Sequence, residues 1–255
     1  MQLHHLIDDC LQLLYVFPLS LILLKDTSVT INFMSESLII YKANDHLEAS
    51  SCLSNLIISD ITALNQSTYS IGLSGGNTPK IAYSMLKTDI PDLSKIIFWT
   101  VDERWVSTEN ENSNQSMINN IFKETDAQIM EFEYSQKSAE SDASTYSKKL
   151  LDNISQFDIA ILGVGEDGHI ASLFPGTKAL KNSTDIYTSN EVNIVTKWRA
   201  TATFKLLTEV NKVYLLVTGQ NKKQILSEIL NNGSTPANDL INNRTETILI
   251  TDQST

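Results

Sequence analysis

The segment Gly163-Val164-Gly165-Glu166-Asp167-Gly168-His169 sets a carboxylate two residues before an imidazole, with three glycines around them. Imidazole is the side chain that takes up and releases protons near neutral pH. Glycines let the backbone turn tightly and approach a ligand closely. Just upstream, Phe157 to Leu162 is a short apolar, β-branched run, the pattern of a strand buried on both faces. Open α/β sheets carry their chemistry at the carboxyl ends of such strands. The same glycines satisfy G-x-G-x-x-G, a dinucleotide fingerprint. That reading is set aside, because Glu166 and Asp167 occupy the place of a pyrophosphate and no helix clearly starts at Gly168. A tight glycine turn carrying a surface histidine is the plainer alternative.

Three further groups follow expected strands. Ser74-Gly75-Gly76-Asn77-Thr78-Pro79 offers backbone N–H groups and hydroxyls just ahead of a helix start, a place to hold a phosphate. Asp102-Glu103-Arg104 supplies an arginine able to steady an oxyanion or bind a carboxylate. Arg199, after an expected strand near Val195, and Lys222, after Val217-Thr218-Gly219, add two cations. Taken singly, each of these is an ordinary turn or surface charge. On one sheet edge they complete a phosphate pocket.

The elements that must position these residues alternate regularly. Strands are expected at Leu38–Tyr41 (an edge), Tyr69–Leu73, Ile96–Val101, Phe157–Leu162, Val192–Thr196, Val213–Thr218 and Thr247–Ile250. Between them, helices are expected from Asp45 to about Leu64, from Pro79 to Leu86, and over Ser113–Phe122 and Ala139–Ile154. Two more are expected near Phe204–Val210 and Asn221–Leu230, and Asn231–Asn243 reads as a loop with one short helix. The fold class is therefore α/β, a mainly parallel open sheet with helices on both faces.

Composition narrows the function. A formal charge of -11 leaves no basic excess to neutralise nucleic-acid phosphates. Cys10 and Cys52 are the two cysteines, too few and too far apart for a disulfide framework, so a reducing, cytoplasmic setting is expected. Four histidines, without an HExxH or CxxC pattern, give no reason to expect a metal. Residues 1–33 differ in character from the rest. Leu11 to Leu24 is a continuous apolar run of 14 residues, short for a membrane span, and Asp8 and Asp9 precede it where a secretory signal carries Lys or Arg. They are read as an extension upstream of a single domain, 34–255, that starts like an ordinary protein at Met34. A membrane-surface anchor or an added packed element are the alternatives, and no membrane contact is expected for 34–255.

SGGNTP, DERW, GVGEDGHIASLFPG, RATAT and TGQNK, in this order, resemble the 6-phosphogluconolactonases, from about Ser37 to the C-terminus. That family shares its fold group with the glucosamine-6-phosphate deaminases. The resemblance implies a Rossmann-like three-layer fold and hydrolysis of a 6-phosphogluconolactone, a step of the oxidative pentose phosphate pathway. It also implies no metal or organic cofactor. By position, it implies His169 as general base, Asp167 as its orienting partner and Arg104 as the stabiliser of the tetrahedral intermediate. The substrate, a small sugar-phosphate lactone, would be held by Ser74, Gly75, Gly76, Asn77, Thr78, Asp102, Gly165, Arg199 and Lys222. A monomer is favoured. The deaminases keep a further carboxylate in an FNEPG-like segment after the DGH motif. Leu173-Phe174-Pro175-Gly176 has no acid there, which disfavours that chemistry. A non-catalytic sugar-phosphate sensor is the other alternative, and the intact His169 and Asp167 speak against it.

Overall fold

The computed structural model describes residues 30–35 and 37–253; the apolar run Leu11–Leu24, the preceding acids and Cys10 lie outside them. The chain begins with β1 (Thr30–Ser35), β2 (Leu38–Lys42), α1 (His46–Leu64), β3 (Tyr69–Leu73), α2 (Lys80–Asp89) and β4 (Ile96–Thr100). It continues through β5 (Asp102–Arg104), α3 (Asn114–Phe122), β6 (Gln128–Met130), α4 (Ala139–Asn153) and β7 (Ile159–Gly163). The last third holds β8 (Tyr187–Ile194), β9 (Thr196–Ala202), α5 (Phe204–Glu209), β10 (Lys212–Val217), α6 (Lys223–Leu230), α7 (Pro236–Asn242) and β11 (Thr247–Thr251).

Among the described residues, the main sheet has the order β1-β2-β11-β10-β7-β3-β4-β6, parallel except for the antiparallel β1–β2 pair. The α/β class with a mainly parallel sheet is thus as read from the sequence. Leu38–Lys42 is not an edge strand, because β1 covers its free side, with Phe33 opposite Ile39. That strand runs across residue 33, the expected end of the extension.

Side chains alternate across the sheet as the two-residue period of a strand demands. Ile159 and Ile161 of β7 face a layer formed by α1, α2 and α3, with Leu53, Ile57, Tyr83, Leu86 and Phe122 buried in it. Ala160 and Leu162 face the opposite layer, where Tyr146, Leu206, Ile225 and Leu240 come from α4, α5, α6 and α7. Each fully buried aliphatic or aromatic side chain of this kind contributes about 1.5–3 kcal/mol. Burial on both faces is why the central strands read as unbroken apolar runs rather than alternating ones.

Helix starts are set locally. Asp45 caps α1 by accepting from the Glu48 N–H at 2.8 Å, and Ser113 and Ser138 cap α3 and α4 in the same way. Pro79 is the N-cap of α2 rather than its first residue.

A second sheet, β5-β9-β8, lies outside the sequence reading. Val192–Thr196, expected as a strand, is the tip of the β8–β9 hairpin, with Val195 in the left-handed region at φ 63°. Arg199 accordingly lies within β9, directly opposite Arg104 of β5, rather than after a strand. The alanines that alternate with polar residues here, Ala200 and Ala202, are fully buried in the core.

From β3 the chain winds outward through β4 and β6. From β7 it winds the other way through β10 and β11. Strand order therefore reverses between β3 and β7, where an open α/β sheet leaves a crevice at its carboxyl edge.

Candidate functional site

A cleft of 210 Å³ opens at that crevice. Its walls come from the segments that follow β3, β4, β7 and β10, four neighbouring strands whose carboxyl ends share one edge. Ser74, Gly75 and Thr78 line it from the first segment, Asp102 and Arg104 from the second, and Gly165 and His169 from the third. Lys222 closes it from a short 3-10 turn, Gln220–Lys222.

The glycine segment after β7 folds back on itself. The Gly165 N–H donates to the His169 carbonyl at 2.8 Å and the Gly168 N–H to the Gly165 carbonyl at 3.0 Å. Gly168 takes φ 79°, a left-handed conformation that glycine adopts without cost, and its carbonyl accepts the Ala237 N–H at the start of α7. This turn brings the His169 Nδ1 to 2.5 Å from the Asp167 Oδ1, and the His169 N–H to 3.1 Å from the same oxygen. Phe174 stacks on the imidazole, with centroids 3.9 Å apart and planes tilted by 24°. The ring is thus held by a carboxylate at its edge and an aromatic at its face. With Nδ1 turned to a carboxylate, Nε2 is the nitrogen left to exchange protons.

Partial burial works to raise the Asp167 carboxyl, but the backbone and ring of His169 outweigh it and hold the group below the usual carboxylate range. The sign follows directly. Asp167 stays ionised above that range, and the stability it contributes is lost only as pH falls through its lowered folded-state value. An Asp167→Asn variant is therefore expected to lose about 10- to 150-fold in turnover, the worth of a hydrogen bond to a charged group. The deficit should persist at pH 8, far above the range in which the carboxylate itself titrates. Turnover equal to wild type at pH 8 would remove Asp167 from this role.

On the second wall, Glu103 is 1% exposed, and its carboxylate accepts the N–H groups of Arg104, Asn114 and Gln115 at 2.7, 2.7 and 2.6 Å and the Ser113 hydroxyl at 3.0 Å. Burial pushes its carboxyl up, to about 7, against those four donors. The carboxylate binds the β5 strand to the first turn of α3. Arg104 Nη1 donates to the Asn112 carbonyl at 2.8 Å, which aims the guanidinium from the same loop. Asp102 is buried and accepts the Ser172 hydroxyl at 2.6 Å, tying this wall to the segment after His169.

The expected site residues do not all share one surface. Ser74, Gly75, Thr78, Asp102, Arg104, Gly165, His169 and Lys222 line the cleft. Asp167 stands behind His169. Gly76 and Asn77 belong to the same turn but are not among the lining residues, and Asn77 points to solvent. Arg199 is buried beside the cleft rather than lining it, with its Nη2 donating to the Ile194 carbonyl at 2.7 Å. Burial and the neighbouring Arg104 lower its pKa, and Asp102 and Glu103 oppose them. The sequence names Glu103 only as a neighbour of Arg104 and does not point to Asn114. The signal was weak, since Ser113-Asn114-Gln115 reads as an ordinary polar helix start.

The cleft therefore gathers a fixed imidazole and two cations around a buried acid. Such a set can activate water against an electrophile carried by an anionic substrate. Among the described residues, no helix is long and apolar enough to cross a membrane.

Known proteins match the chain. The family model described as glucosamine-6-phosphate isomerases/6-phosphogluconolactonase matches residues 44–249. A 6-phosphogluconolactonase of Rhizobium meliloti is 31% identical over 201 residues, covering 73% of this chain and 87% of the relative. One from Synechocystis is 35% identical over 190 residues, covering 70% and 77%. The crystal structure of the 6-phosphogluconolactonase from Thermotoga maritima superposes with a TM-score of 0.75 at 26% identity, over 84% of this chain and 99% of that one.

Proposed function

The chain belongs to the glucosamine-6-phosphate isomerase/6-phosphogluconolactonase family, and from that premise we infer how its cleft works as the active site of a lactone hydrolase. The enzyme hydrolyses 6-phospho-D-glucono-1,5-lactone to 6-phosphogluconate, in the oxidative pentose phosphate pathway. The observation that carries the mechanism is the His169–Asp167 pair, facing Arg104 and Lys222 across one cleft.

In this reading His169 Nε2 takes a proton from water as the water oxygen bonds to the lactone carbonyl carbon. Negative charge gathers on the former carbonyl oxygen, where Arg104 stabilises it. Asp167 balances the imidazolium that forms. When the intermediate collapses, the bond from carbon to the ring oxygen breaks, and the imidazolium returns its proton to that oxygen. The new carboxylic acid then ionises. The Ser74–Thr78 turn and Lys222 hold the phosphate, which the cleft's cations offset in a chain of net charge -11. Arg199 joins them on a longer reach, because it is engaged by the Ile194 carbonyl. The catalytic unit is the single domain beyond the N-terminal extension, acting as a monomer in the cytoplasm, with no nucleic-acid partner.

Hydrolysis of freshly made lactone, measured as acceleration over the spontaneous rate, tests the assignment. Wild-type enzyme is expected to accelerate it strongly and to leave glucosamine 6-phosphate untouched. A folded protein that binds 6-phosphogluconate without accelerating hydrolysis would instead be a sensor.

A further inference from the structure

Asn114 is the first residue of α3, and it lines the cleft although only 2% of it is exposed. Its backbone N–H is held by Glu103, and its side-chain Nδ2 donates to the Asp102 carbonyl at 2.7 Å. Turning the amide over would set its oxygen against that carbonyl, acceptor against acceptor. The orientation is therefore fixed, with the donor inward. Among the described residues, no group donates a hydrogen bond to Oδ1. The amide also depends on Gly75, because a Cβ built there would lie 1.8 Å from the Asn114 Oδ1. Glycine at 75 is thus what lets the Asn114 amide pack against the Ser74–Thr78 turn, in the wall of the cleft.

The rest of the cleft is rich in donors. Arg104, Lys222, Ser74 and Thr78 suit a phosphate and a developing oxyanion. A sugar lactone also carries hydroxyls, which need acceptors. Asp102 is one, but its Oδ2 is already engaged by Ser172.

We propose that Asn114 determines sugar specificity, its Oδ1 accepting a hydrogen bond from one ring hydroxyl of the substrate while Glu103 holds it in place. The proposal rests on the lactonase reading and names a residue that reads the sugar, apart from those for the phosphate and the carbonyl. Asn114 touches the substrate; Glu103 is a positioning residue.

The test compares hydrolysis of 6-phosphogluconolactone with that of its 2-deoxy, 3-deoxy and 4-deoxy analogues. Wild type is expected to lose about ten- to a hundredfold in kcat/KM on one of the three, as when a polar group is left unpaired. Asn114→Ala should fall by a similar factor on the parent lactone, and the gap between the parent and that analogue should close to about twofold. Unchanged ratios on all three analogues in the variant would overturn the proposal. Should Asn114→Ala fail to fold, Gly75→Ala serves as the second variant, since its new methyl must displace the amide. The same closing of the gap supports the proposal, and a persistent gap overturns it. Absence of acceleration on the parent lactone by wild type would instead sink the lactonase reading itself.

Discussion

Lactone hydrolysis by a His169→Ala variant is expected to fall by about a hundred- to ten-thousandfold, the range that a positioned general base supplies. The phosphate turn, Arg104 and Lys222 stay in place, so KM should change far less than kcat. The pattern matters as much as the size. A group that acts only as the transition state forms lowers kcat when removed, whereas a group that merely binds raises KM. The substitution also takes away the ring that Phe174 stacks on, at a half-buried position outside the two apolar cores. Thermal unfolding should therefore move by only a few degrees. Turnover above the spontaneous background that matches wild type would end the assignment of His169 as base.

A Gly165→Ala variant is expected to lose on the order of a hundredfold without replacing either catalytic group. A Cβ at this position would lie 2.0 Å from the His169 Nδ1, 2.2 Å from its Cε1 and 2.6 Å from the Asp167 Oδ1. No real carbon sits that close, so the imidazole and the carboxylate must part or swing. Misplacing a reacting group by about 1 Å costs on the order of a hundredfold. The groups that must move are side chains 27% and 45% exposed, so melting should shift little and, measured alongside turnover, separates this effect from global unfolding. Full activity in Gly165→Ala would mean that the His169–Asp167 contact is not needed for catalysis.

Much of this was legible in the chain. β3, β4, β7 and β10 read as apolar runs because each is buried on both faces, and their ends mark the turns that carry the site. The coupling of Asp167 to His169 was legible too, since it is local and glycine-driven. The second sheet was not. β5 is three residues of acid, acid and base, which no hydrophobic pattern can flag as a strand. Its existence depends on β9, nearly a hundred residues later in the sequence. The β8–β9 hairpin misled for a related reason. Its tip is built from Ile194 and Val195, β-branched residues that suit strands, where turn chemistry calls for glycine or asparagine. Arg199 was misplaced with it. The roles of Glu103 and Asn114 escaped because they lie in contacts among β5, α3 and the cleft, and not in the types of their sequence neighbours.

The position of β7 bears on how the molecule comes to be. It fills the slot between β3, made early, and β10, made late, through parallel ladders on both sides. Such non-local pairings are slow to form because a long loop must close before any contact rewards it. While the ribosome is still making the last third, β3 and β7 are available but β10 and β11 are not. The nascent sheet then presents β7 as an open, apolar edge, the kind of surface that recruits other chains. Lys222 arrives with the strand that covers that edge. β10 is then the open edge until β11 joins it to β2, so the cleft's last cation is made before the sheet is closed.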